Sequence, residues 1–355
     1  MTEWSLKTEE RAVFALRSLY RRYGYTPYKM SRFEEYDLYV RNKDFLVSDK
    51  IITFSGEGGR LLALKPDVTL SIVKNAPDEA GAVQKVYYNE NVYRDHREIL
   101  QAGLECVGDL GDYEIAEVVL LAAKSLAELG DVYVLDISHM GLISAMLDSC
   151  GFDNEKKRLA TEYLRRKNSH ELKGLCDAQA WKKLGVLVDC HGALEDLSKV
   201  EAVLTTEEER KALAELRQLM KMLESSGFGK QIRLDFSVGS DLRYYSGVVF
   251  RGYLEGIPSS VLSGGQYDKL PQRMGRKARA IGFAIYADLL ARYKREEESY
   301  DVDTLILHDG SVDPAVLTAK AEEAAQMGTV LVARQEPKGR SWKKLWKFEN
   351  GEENT

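Results

Sequence analysis

The chain has 355 residues, 44% of them hydrophobic and 30% charged, which is the composition of a globular protein. This length is enough for one large domain with a small one, or for two ordinary domains. A formal net charge of −6 weighs against a protein that holds RNA through its phosphates, because such proteins are usually basic. We therefore do not expect a nucleic-acid partner.

The cysteines and the N-terminal segment predict the compartment. Cys106, Cys150, Cys176 and Cys190 are scattered and form no C-x-x-C pair, which favours reduced thiols in the cytoplasm. Residues 4–23 are too charged for a signal peptide or a membrane span, so we expect neither. The five histidines and four cysteines lack the spacing of metal ligands, and we expect no metal and no cofactor.

The N-terminal part of the chain alternates between helical and strand-like patterns. Apolar residues recur at helical spacing over residues 8–23, and Gly24 is placed to end that helix. Residues 111–129, rich in Ala, Leu and Val, predict a second helix. Short apolar runs, some with partial alternation, predict strands at residues 45–47, 51–54, 60–64, 83–88 and 133–137.

The pattern changes to helices from residue 139 to residue 228, where charged stretches alternate with Leu and Ala. We interpret this region as a helical insertion inside a sheet domain. Strand-like runs return at residues 232–236 and 247–253, and residues 284–293 predict a closing helix. The first domain is therefore expected to span residues 1–298.

A small second domain is expected over residues 299–355. Within it, residues 302–307 predict a strand, residues 314–327 a helix and residues 329–333 a second strand. Together they form one β-α-β unit, near the minimum size for such a unit. No internal repeat accompanies it.

The end of the chain is basic and then polar. Residues 340–347 include two tryptophans, which are able to stack on nucleic-acid bases. At this position we favour a partner-facing edge or a solvated helix face instead. The polar tail, residues 350–355, predicts disorder.

Five short segments carry the residue types of an amino-acid pocket. Asp67, Glu105 and Asp268 suit an ammonium group, and Arg94 suits a carboxylate. Neutral hydrogen-bonding side chains accompany them, and a Glu with tyrosines around it suits an imidazole ring. The neutral side chains are Thr69, Gln101, Tyr245 and Tyr267. The segments are LKPDVT at 64–69, YRDH at 93–96, QAGLE at 101–105, LRYYSG at 242–247 and GGQYD at 264–268.

Each segment alone is more typical of ordinary structure than of a binding site. The first reads as a strand end with a turn, and the glycine pair of the last reads as a flexible turn. Arg94 beside Asp95 reads as a surface ion pair worth less than about 1 kcal/mol. Only the joint occurrence of the five segments in this order indicates a pocket.

In this order, the segments resemble those of the histidyl-tRNA synthetases, over roughly residues 8–293. In that family the counterparts of Asp67 and Thr69 bind the amino end of the substrate, and Arg94 matches the arginine of class II motif 2. Gln101 and Glu105 match the Q-x-G-x-E segment that recognises histidine. The tyrosines of the two histidine-specific segments match Tyr244, Tyr245 and Tyr267.

The resemblance therefore implies a histidine pocket on a class II aminoacyl-tRNA synthetase-like core. That fold is α+β, with a mainly antiparallel sheet of about six strands flanked by helices. It also implies the helical insertion at about residues 139–228 and the small C-terminal α/β unit, which resembles a truncated anticodon-binding domain.

The departures from that family concern ATP. His96 replaces the glutamate expected in motif 2, and Arg97 follows at once, so the loop that normally separates the two halves of the motif is largely missing. The motif 3 arginine falls at Leu289, and the catalytic arginine before the tyrosine pair falls at Ser240. Because cations stabilise charge at the reacting phosphorus, losing one typically reduces the rate about 10²- to 10³-fold. An amino-acid sensor without amino-acid activation is implied.

This combination is similar to the non-catalytic regulatory subunits of ATP phosphoribosyltransferase. The resemblance implies that this chain is not an enzyme, that a short-form ATP phosphoribosyltransferase catalytic subunit is its partner, and that free histidine is its effector. The chain would activate that partner in the first step of histidine biosynthesis and confer feedback inhibition. A homodimer is expected, since motif 1, with Ser31 in place of its proline and Glu34 retained, forms a two-fold interface in this family.

Two alternatives stay open at this point. The first is a divergent histidyl-tRNA synthetase-like enzyme that forms an aminoacyl-adenylate, with Arg243 or Arg251 in place of a missing arginine. The second is an RNA-binding regulator, which a tRNA-binding assay and its salt dependence test. We expect no catalytic role for three histidines and a cysteine, which have no nucleophile or carboxylate at an interpretable spacing. They are His96, His139, His191 and Cys190.

Overall fold

The structure is a computed structural model that describes residues 8–46, 50–77, 79–192, 194–238, 242, 244–290, 300–349 and 352–354. The chain forms two compact units with their sequence boundary between Tyr293 and Lys294. The predicted boundary at residue 298 lies among residues 291–299, outside the described ranges. Among the described helices, none has both the length and the apolar character that a membrane crossing requires.

The first unit combines helices with short and long strands. Its helices are α1 (Thr8–Arg22), α2 (Tyr36–Arg41), α3 (Thr69–Asn75), α4 (Asp112–Leu129), α5 (Met140–Ser149), α6 (Asn154–Arg165), α7 (Ser169–Leu175), α8 (Ala178–Asp189), α9 (Leu197–Glu201), α10 (Glu207–Ser225), α11 (Lys269–Arg273) and α12 (Ala287–Leu290). Its strands are β1 (Thr26–Pro27), β2 (Phe33–Glu35), β3 (Thr53–Ser55), β4 (Leu61–Leu64), β5 (Val83–Arg94), β6 (Arg97–Gly108), β7 (Tyr133–His139), β8 (His191–Gly192), β9 (Ile232–Asp235), β10 (Val248–Leu254), β11 (Leu262–Gln266) and β12 (Arg279–Tyr286).

A nine-stranded sheet organises the first unit, in the order β1-β5-β6-β12-β11-β10-β7-β9-β8. Neighbouring strands are antiparallel except for the β1–β5 and β7–β9 pairs, which are parallel. A separate three-stranded sheet has the order β2-β4-β3. This mainly antiparallel α+β architecture confirms the predicted fold class. The expectation of about six strands, a common sheet size, is too low, partly because the two-residue strands β1 and β8 extend both edges.

Helices α1 and α4 pack on one face of the main sheet. Leu16 and Tyr20 of α1 are buried there, as their helical spacing predicts. The Tyr20 ring lies edge-on to Phe283 of β12, with 6.1 Å between the ring centroids, and Phe283 contacts Phe250 of β10 at 6.2 Å. Since successive side chains on a strand point to opposite faces, the residues before and after Phe283 face away from this core.

The long hairpin of β5 and β6 turns at Asp95 and His96, whose φ angles are 49° and 61°. Arg94 and Arg97 pair directly across this turn. Two central residues with positive φ define a type I′ turn, whose twist matches that of the paired strands. The structure therefore confirms that the two strands are joined by this tight turn and not by a long loop.

The insertion helices α5 to α10 lie between β7 and β9 in sequence, where residues 139–228 predict them. Helix α10 begins with a capping box, in which Glu209 N donates to Thr206 Oγ1 and Thr206 N donates to the Glu209 carboxylate at 3.0 Å. The same buried carboxylate accepts from Ser149 of α5 and pairs with Lys183 of α8. This one group therefore connects three helices of the insertion.

One predicted strand of the first unit is wrong. Residues 45–47 predict a strand from their apolar character, but Lys43–Phe45 forms a 3₁₀ turn. Val47 lies outside the described residues. A run of this length carries too little pattern to separate a strand from a turn, and here the aromatic residue, Phe45, is buried without strand pairing.

The predicted closing helix at residues 284–293 is also partly wrong. Strand β12 continues to Tyr286, and α12 covers only Ala287–Leu290 within the described residues. Ala284 and Tyr286 pair with residues of β6, so sheet pairing overrides the local helical preference of this segment.

The second unit contains β13 (Val302–His308), α13 (Pro314–Met327), β14 (Val330–Ala333), β15 (Trp342–Glu349) and β16 (Glu352–Asn354). Its four-stranded sheet has the order β14-β13-β15-β16. Strands β14, β13 and β15 are parallel, and β16 is antiparallel to β15. The predicted β-α-β unit is confirmed as β13-α13-β14.

The prediction for the end of the chain is wrong. Residues 340–347, expected as a partner-facing edge or a helix face, lie largely in β15, between β13 and β16. Trp346 and Phe348 pack with Ile306 in the small core of this unit, which explains why the segment pairs despite its lysines. In the tail, Glu352–Asn354 forms β16 instead of being disordered, and residues 350, 351 and 355 lie outside the described residues.

Candidate ligand-binding site

A cavity of about 550 Å³ lies in the first unit, on the sheet face opposite to Phe283 and α1. Strands β6, β10, β11 and β12 contribute residues to it, together with the start of α3. All eight predicted ligand-binding residues line this cavity. They are Asp67, Thr69, Arg94, Gln101, Glu105, Tyr244, Tyr245 and Tyr267.

Small residues form the floor of the cavity. Gly103 lies between Gln101 and Glu105 on the same face of β6, and Gly282 of β12 pairs directly with Glu105. A Cβ atom on Gly282 would overlap the Glu105 carboxylate, and one on Gly265 of β11 would lie 2.8 Å from the Tyr245 ring. The glycines of these segments are therefore required by close approach and not by turn geometry.

Glu105 is the centre of a buried hydrogen-bonded cluster. Thr69 Oγ1 donates to Glu105 Oε1 at 2.8 Å, and the Tyr267 hydroxyl donates to Glu105 Oε2. Burial raises the pKa of Glu105 to about 8, although both of these hydrogen bonds oppose the rise. Burial also raises the pKa of Tyr267, so its hydroxyl stays protonated and donates. The free cavity therefore holds a protonated Glu105 at neutral pH.

Asp67 and Arg94 form an adjacent pair. Asp67 Oδ2 lies 3.5 Å from Arg94 Nη2, and Asp67 Oδ1 accepts from Leu70 N at 2.9 Å in the first turn of α3. Arg94 Nε also donates to the carbonyl oxygen of Pro66. Burial raises the pKa of Asp67, and Arg94 opposes that rise. Opposite charges side by side in one cavity suit a zwitterion, whose ammonium and carboxylate groups each find a counter-charge.

Aromatic rings close the cavity beside Glu105. The Tyr244 ring lies 4.6 Å from the Tyr245 ring and 5.7 Å from the Tyr267 ring, measured between centroids. Phe45 approaches Tyr244 at 5.7 Å from the other side. Offset and edge-on contacts of this kind hold aromatic side chains in place. A flat, hydrogen-bonding ligand group such as an imidazole therefore meets a rigid aromatic wall next to a carboxyl group.

Asp268, the third predicted carboxylate, does not line the cavity. Its Oδ1 accepts from Ala280 N at 2.9 Å, and its Oδ2 accepts from Gln266 and lies 3.5 Å from Arg279. These contacts connect the end of β11 to the start of β12. The expectation that Asp268 takes part in holding a ligand is wrong, because its oxygens are used within the sheet.

The sequence reasoning missed several lining residues. Phe45 lies in the segment 45–47 predicted as a strand, Asp44 comes just before that segment, and Tyr88 of β5 lies in the predicted strand 83–88. Arg251, named only as a substitute for a missing arginine, also lines the cavity, as does Tyr286. Tyr88 was open to detection, because it pairs with Gly103 of the Q-x-G-x-E segment. The contribution of the Asp44 segment depends on packing and has no local signal.

The residues that replace the expected synthetase residues can now be located in the fold. Leu289 packs against the apolar core of the first unit and is not a lining residue of the cavity. Ser240 and Arg243 lie outside the described residues. Ser31 Oγ accepts from Phe33 N at 3.4 Å, and Glu34 lies 3.1 Å from Lys74.

The histidines singled out in the sequence lie away from the cavity. His96 is exposed in the turn between β5 and β6, and His191 lies in the edge strand β8. His139 is buried and caps α5, because its Nδ1 accepts from Leu142 N at 3.1 Å. Its Nε2 lies 3.4 Å from Glu215. Cys190 is a buried free thiol, and burial raises its pKa to about 11.

The fold and the cavity agree with the family model that matches the chain. This model, described as histidyl-tRNA synthetase, covers residues 3–290. The chain therefore belongs to the histidyl-tRNA synthetase family.

Its place within that family is with the ATP phosphoribosyltransferase regulatory subunits. It is 30% identical over 291 residues to the ATP phosphoribosyltransferase regulatory subunit of Clostridium kluyveri, across 77% of this chain and 74% of that protein. The ATP phosphoribosyltransferase regulatory subunit of Clostridium botulinum is 28% identical over 82% of this chain and 74% of that protein.

Solved structures share the fold. A crystal structure of an ATP phosphoribosyltransferase regulatory subunit/histidyl-tRNA synthetase from Bacillus halodurans matches with a TM-score of 0.79 and 23% identity, across 98% of this chain and 96% of that chain. A chain of the ATP phosphoribosyl transferase (HisG:HisZ) complex from Thermotoga maritima matches with a TM-score of 0.62 and 17% identity, across 81% of this chain and 97% of that chain.

Proposed function

We propose that this chain is a regulatory subunit that controls an ATP phosphoribosyltransferase catalytic subunit and senses free histidine. The partner catalyses phosphoribosyl transfer in the first step of histidine biosynthesis, and this chain contributes no catalysis. The chain activates its partner, and histidine bound in the cavity reverses that activation. The observation that carries the proposal is the buried Glu105–Thr69–Tyr267 cluster beside the Asp67–Arg94 pair.

The chemistry of the cavity supports histidine as the ligand. The Asp67–Arg94 pair offers one counter-charge to each end of a zwitterion. Glu105 carries its proton at neutral pH, so the carboxyl group and a neutral imidazole share one proton across a hydrogen bond. The tyrosine rings cover the imidazole faces with apolar surface. Each part of a histidine molecule therefore has a matching group.

The nucleotide side of the site supports a role without adenylation. Leu289 packs into the core at the position where the family carries an arginine for ATP. The turn at Asp95 and His96 leaves no loop after Arg94 to cover a triphosphate. Adenylate formation depends on cations placed around the phosphates, so these changes remove stabilisation of the transition state.

Feedback inhibition requires histidine to bind the low-activity state of the complex more tightly than the active state. A coupling free energy of about 1–3 kcal/mol between the two sites gives roughly 5- to 150-fold inhibition at saturation. The same coupling must weaken histidine binding when the active state of the complex is stabilised, because linkage is reciprocal.

Relatives support the identity of the partner. The curated relatives carry the name ATP phosphoribosyltransferase regulatory subunit, and one structural match is a chain of an ATP phosphoribosyl transferase complex. We propose a short-form catalytic subunit as the partner and a homodimer of this chain as the basal unit. We also propose that the complex acts in the cytoplasm, where the free thiols of Cys106 and Cys190 stay reduced.

The decisive experiment measures phosphoribosyl transfer by a purified short-form catalytic subunit from the same source. It is run with the catalytic subunit alone, with this chain added, and with this chain plus histidine. We expect activation by the chain and loss of that activation with histidine. No complex and no change in rate would overturn the proposal, and ATP–pyrophosphate exchange would then test the synthetase-like alternative.

A pair of variants assigns the histidine response to the cavity. Glu105→Ala removes the imidazole partner, so we expect activation to persist while histidine inhibition is lost. Glu201→Ala is the matched control, because Glu201 is an exposed residue of α9 paired with Arg217. Unchanged inhibition in Glu105→Ala would place the histidine site elsewhere and contradict the assignment.

A further inference from the structure

Among the residues that the structure describes, two arginines line the cavity, and they differ in what they contact. Arg94 is engaged with Asp67 and with the Pro66 carbonyl oxygen. Arg251 of β10 is half-buried, and within the described part of the chain it makes no hydrogen bond and no ion pair. A guanidinium group has five N–H donors. It therefore lacks the anionic partner that such a group normally has.

The carboxylate that faces Arg251 across the strands is engaged with another arginine. Arg251 pairs across the strands with Asp136 of β7, so the two side chains share one face. Asp136 is buried and already binds Arg233 with both oxygens, at 2.8 and 3.1 Å. A carboxylate held by both oxygens neutralises one guanidinium group, and the charge of Arg251 remains uncompensated.

Hydroxyl groups surround Arg251 in the cavity. Ser263 of β11 pairs directly with Arg251, and Ser260 lies just before that strand. Tyr286 and Tyr245 also line the cavity, and Tyr245 has a side-chain hydrogen bond with Ser263. Burial raises the pKa of Tyr245, Glu105 adds to the rise and Arg251 opposes it, so Tyr245 lies within electrostatic reach of both. We call the group formed by Arg251, Ser260, Ser263 and Tyr286 the Arg251 side of the cavity.

The backbones of the strands that carry Arg251 and Glu105 are well separated. Strands β6 and β10 are three positions apart in the sheet order, which corresponds to about 14 Å at ~4.8 Å per strand. The cavity volume of about 550 Å³ also falls in the range of roughly 300–1,000 Å³ that holds drug-sized ligands. A single amino acid bound at Glu105 therefore leaves the Arg251 side open.

We propose that the Arg251 side of the cavity is a second subsite, which binds the phosphate group of a small molecule. The guanidinium fork matches two phosphate oxygens, and the serine and tyrosine hydroxyls supply donors for the others. A carboxylate has only two oxygens and would leave several of these donors unused. The cavity thus has one side for a zwitterion and one side for a phosphate.

This subsite does not depend on the identity of the amino acid on the other side. It requires only a cation without a counter-ion among the described residues, neighbouring hydroxyl groups and free volume, all present on the Arg251 side. If both ligands bind together, each changes the affinity of the other by the same factor, because the coupling between two sites is reciprocal.

The test is a calorimetric titration of the purified chain with inorganic phosphate, at constant ionic strength with chloride as the counter-ion. Arms with AMP and ATP distinguish free phosphate from phosphate carried by a nucleotide. The variant is Arg251→Gln, and Arg251→Lys keeps the charge but loses the fork. Arg217→Gln is the matched control, because it removes the same charge from an exposed ion pair on α10. Circular dichroism verifies that each variant is folded.

We expect phosphate, alone or on a nucleotide, to bind the wild type and Arg217→Gln equally. Arg251→Gln should weaken that binding about tenfold or more, as the loss of a charge-assisted bidentate contact predicts, and Arg251→Lys should weaken it less. Wild-type affinity in Arg251→Gln, or no binding of any of the three ligands to the wild type, would overturn the inference. Histidine titrated into the same samples separates the two proposals: histidine binding without phosphate binding overturns only the subsite.

Discussion

The cavity has two sides that hold their charged groups in different ways. Around Glu105, the charged groups have protein partners: Thr69 and Tyr267 donate to Glu105, and Arg94 pairs with Asp67. On the other side, Arg251 has a charge without a counter-ion within the described residues. The first side is therefore organised before a ligand arrives, and its ligand must replace or extend existing contacts. On the second side, only a bound anion would supply the counter-charge that Arg251 lacks.

The largest expected effect comes from Gly282, which forms part of the cavity floor next to Glu105. Gly282→Ala places a Cβ atom where the Glu105 carboxylate lies, so Glu105 must move and lose its hydrogen bonds. We expect histidine binding to weaken about 100-fold or more and the unfolding free energy to fall by about 1–3 kcal/mol, as for overpacked cores. Calorimetry and urea unfolding measure the two effects.

A second glycine provides the control for that variant. Gly174 lies within α7, and a Cβ atom there meets no neighbour within 4 Å. Gly174→Ala should keep wild-type histidine affinity and should raise stability by up to about 1 kcal/mol, because alanine favours a helix. Wild-type histidine affinity in Gly282→Ala would show that the floor does not position Glu105 for the ligand.

The next effect is a pH dependence of the unfolding free energy, caused by Glu105. The folded-state pKa of Glu105 is raised to about 8, above the ordinary value of about 4.3, so its contribution to stability is full below pH 4. That contribution is lost as the pH rises to 8, because the unfolded state ionises and the folded state does not. Relative to Glu105→Gln, the wild type should lose on the order of a few kcal/mol between pH 5 and pH 8. Urea unfolding of both proteins across this range measures the difference, and parallel curves would contradict a raised pKa.

Histidine affinity should also depend on pH, with a maximum at intermediate pH and a fall on either side. In the proposed complex, Glu105 and the imidazole share one proton. Above pH 8, free Glu105 is ionised and binding must take up a proton, so affinity falls about tenfold per pH unit. Below the imidazole pKa of about 6.5, both partners are protonated and binding must release one proton. Calorimetry in buffers of different ionisation enthalpy measures these protons, and a flat affinity from pH 8 to pH 9.5 would exclude the shared proton.

The last prediction compares the two arginines, and its smaller effect is at Arg251. Arg94→Gln leaves Asp67 buried without its partner, so we expect the unfolding free energy to fall by about 3 kcal/mol. Protonation of Asp67 would reduce this loss. Arg251→Gln removes an unpaired, half-buried cation, and in phosphate-free buffer we expect a change within about 0.5 kcal/mol or a slight gain. Urea unfolding of both variants tests the contrast. An equal loss in both would mean that Arg251 has a structural partner.

Much of the site was predictable because its chemistry is carried by short segments. Strand alternation alone places Gln101, Gly103 and Glu105 on one face, and the missing residues after Arg94 predict a tight turn. All eight predicted residues line one cavity. Asp268 was assigned to the ligand because sequence shows residue types but not their partners, and Ala280 N and Gln266 use its oxygens.

Other features depended on packing that a local pattern does not contain. Phe45 reaches Tyr244 from a 3₁₀ turn, which no periodicity predicts. The lysine-rich segment that forms β15 becomes an inner strand only because Trp346 and Phe348 find apolar partners on β13 and α13. The isolation of Arg251 is likewise visible only when its cross-strand neighbour is known to bind Arg233.

The pairing of β12 with β6 determines whether there is a cavity at all. Gly282 and Ala284 line the cavity, whereas the ring of Phe283 between them lies in the core against Tyr20. A shift of β12 by one residue would reverse these directions and place the phenylalanine ring over Glu105. Correct folding of this sheet and possession of a binding site are therefore one event, because the register that buries Phe283 in the core is also the register that leaves the cavity open.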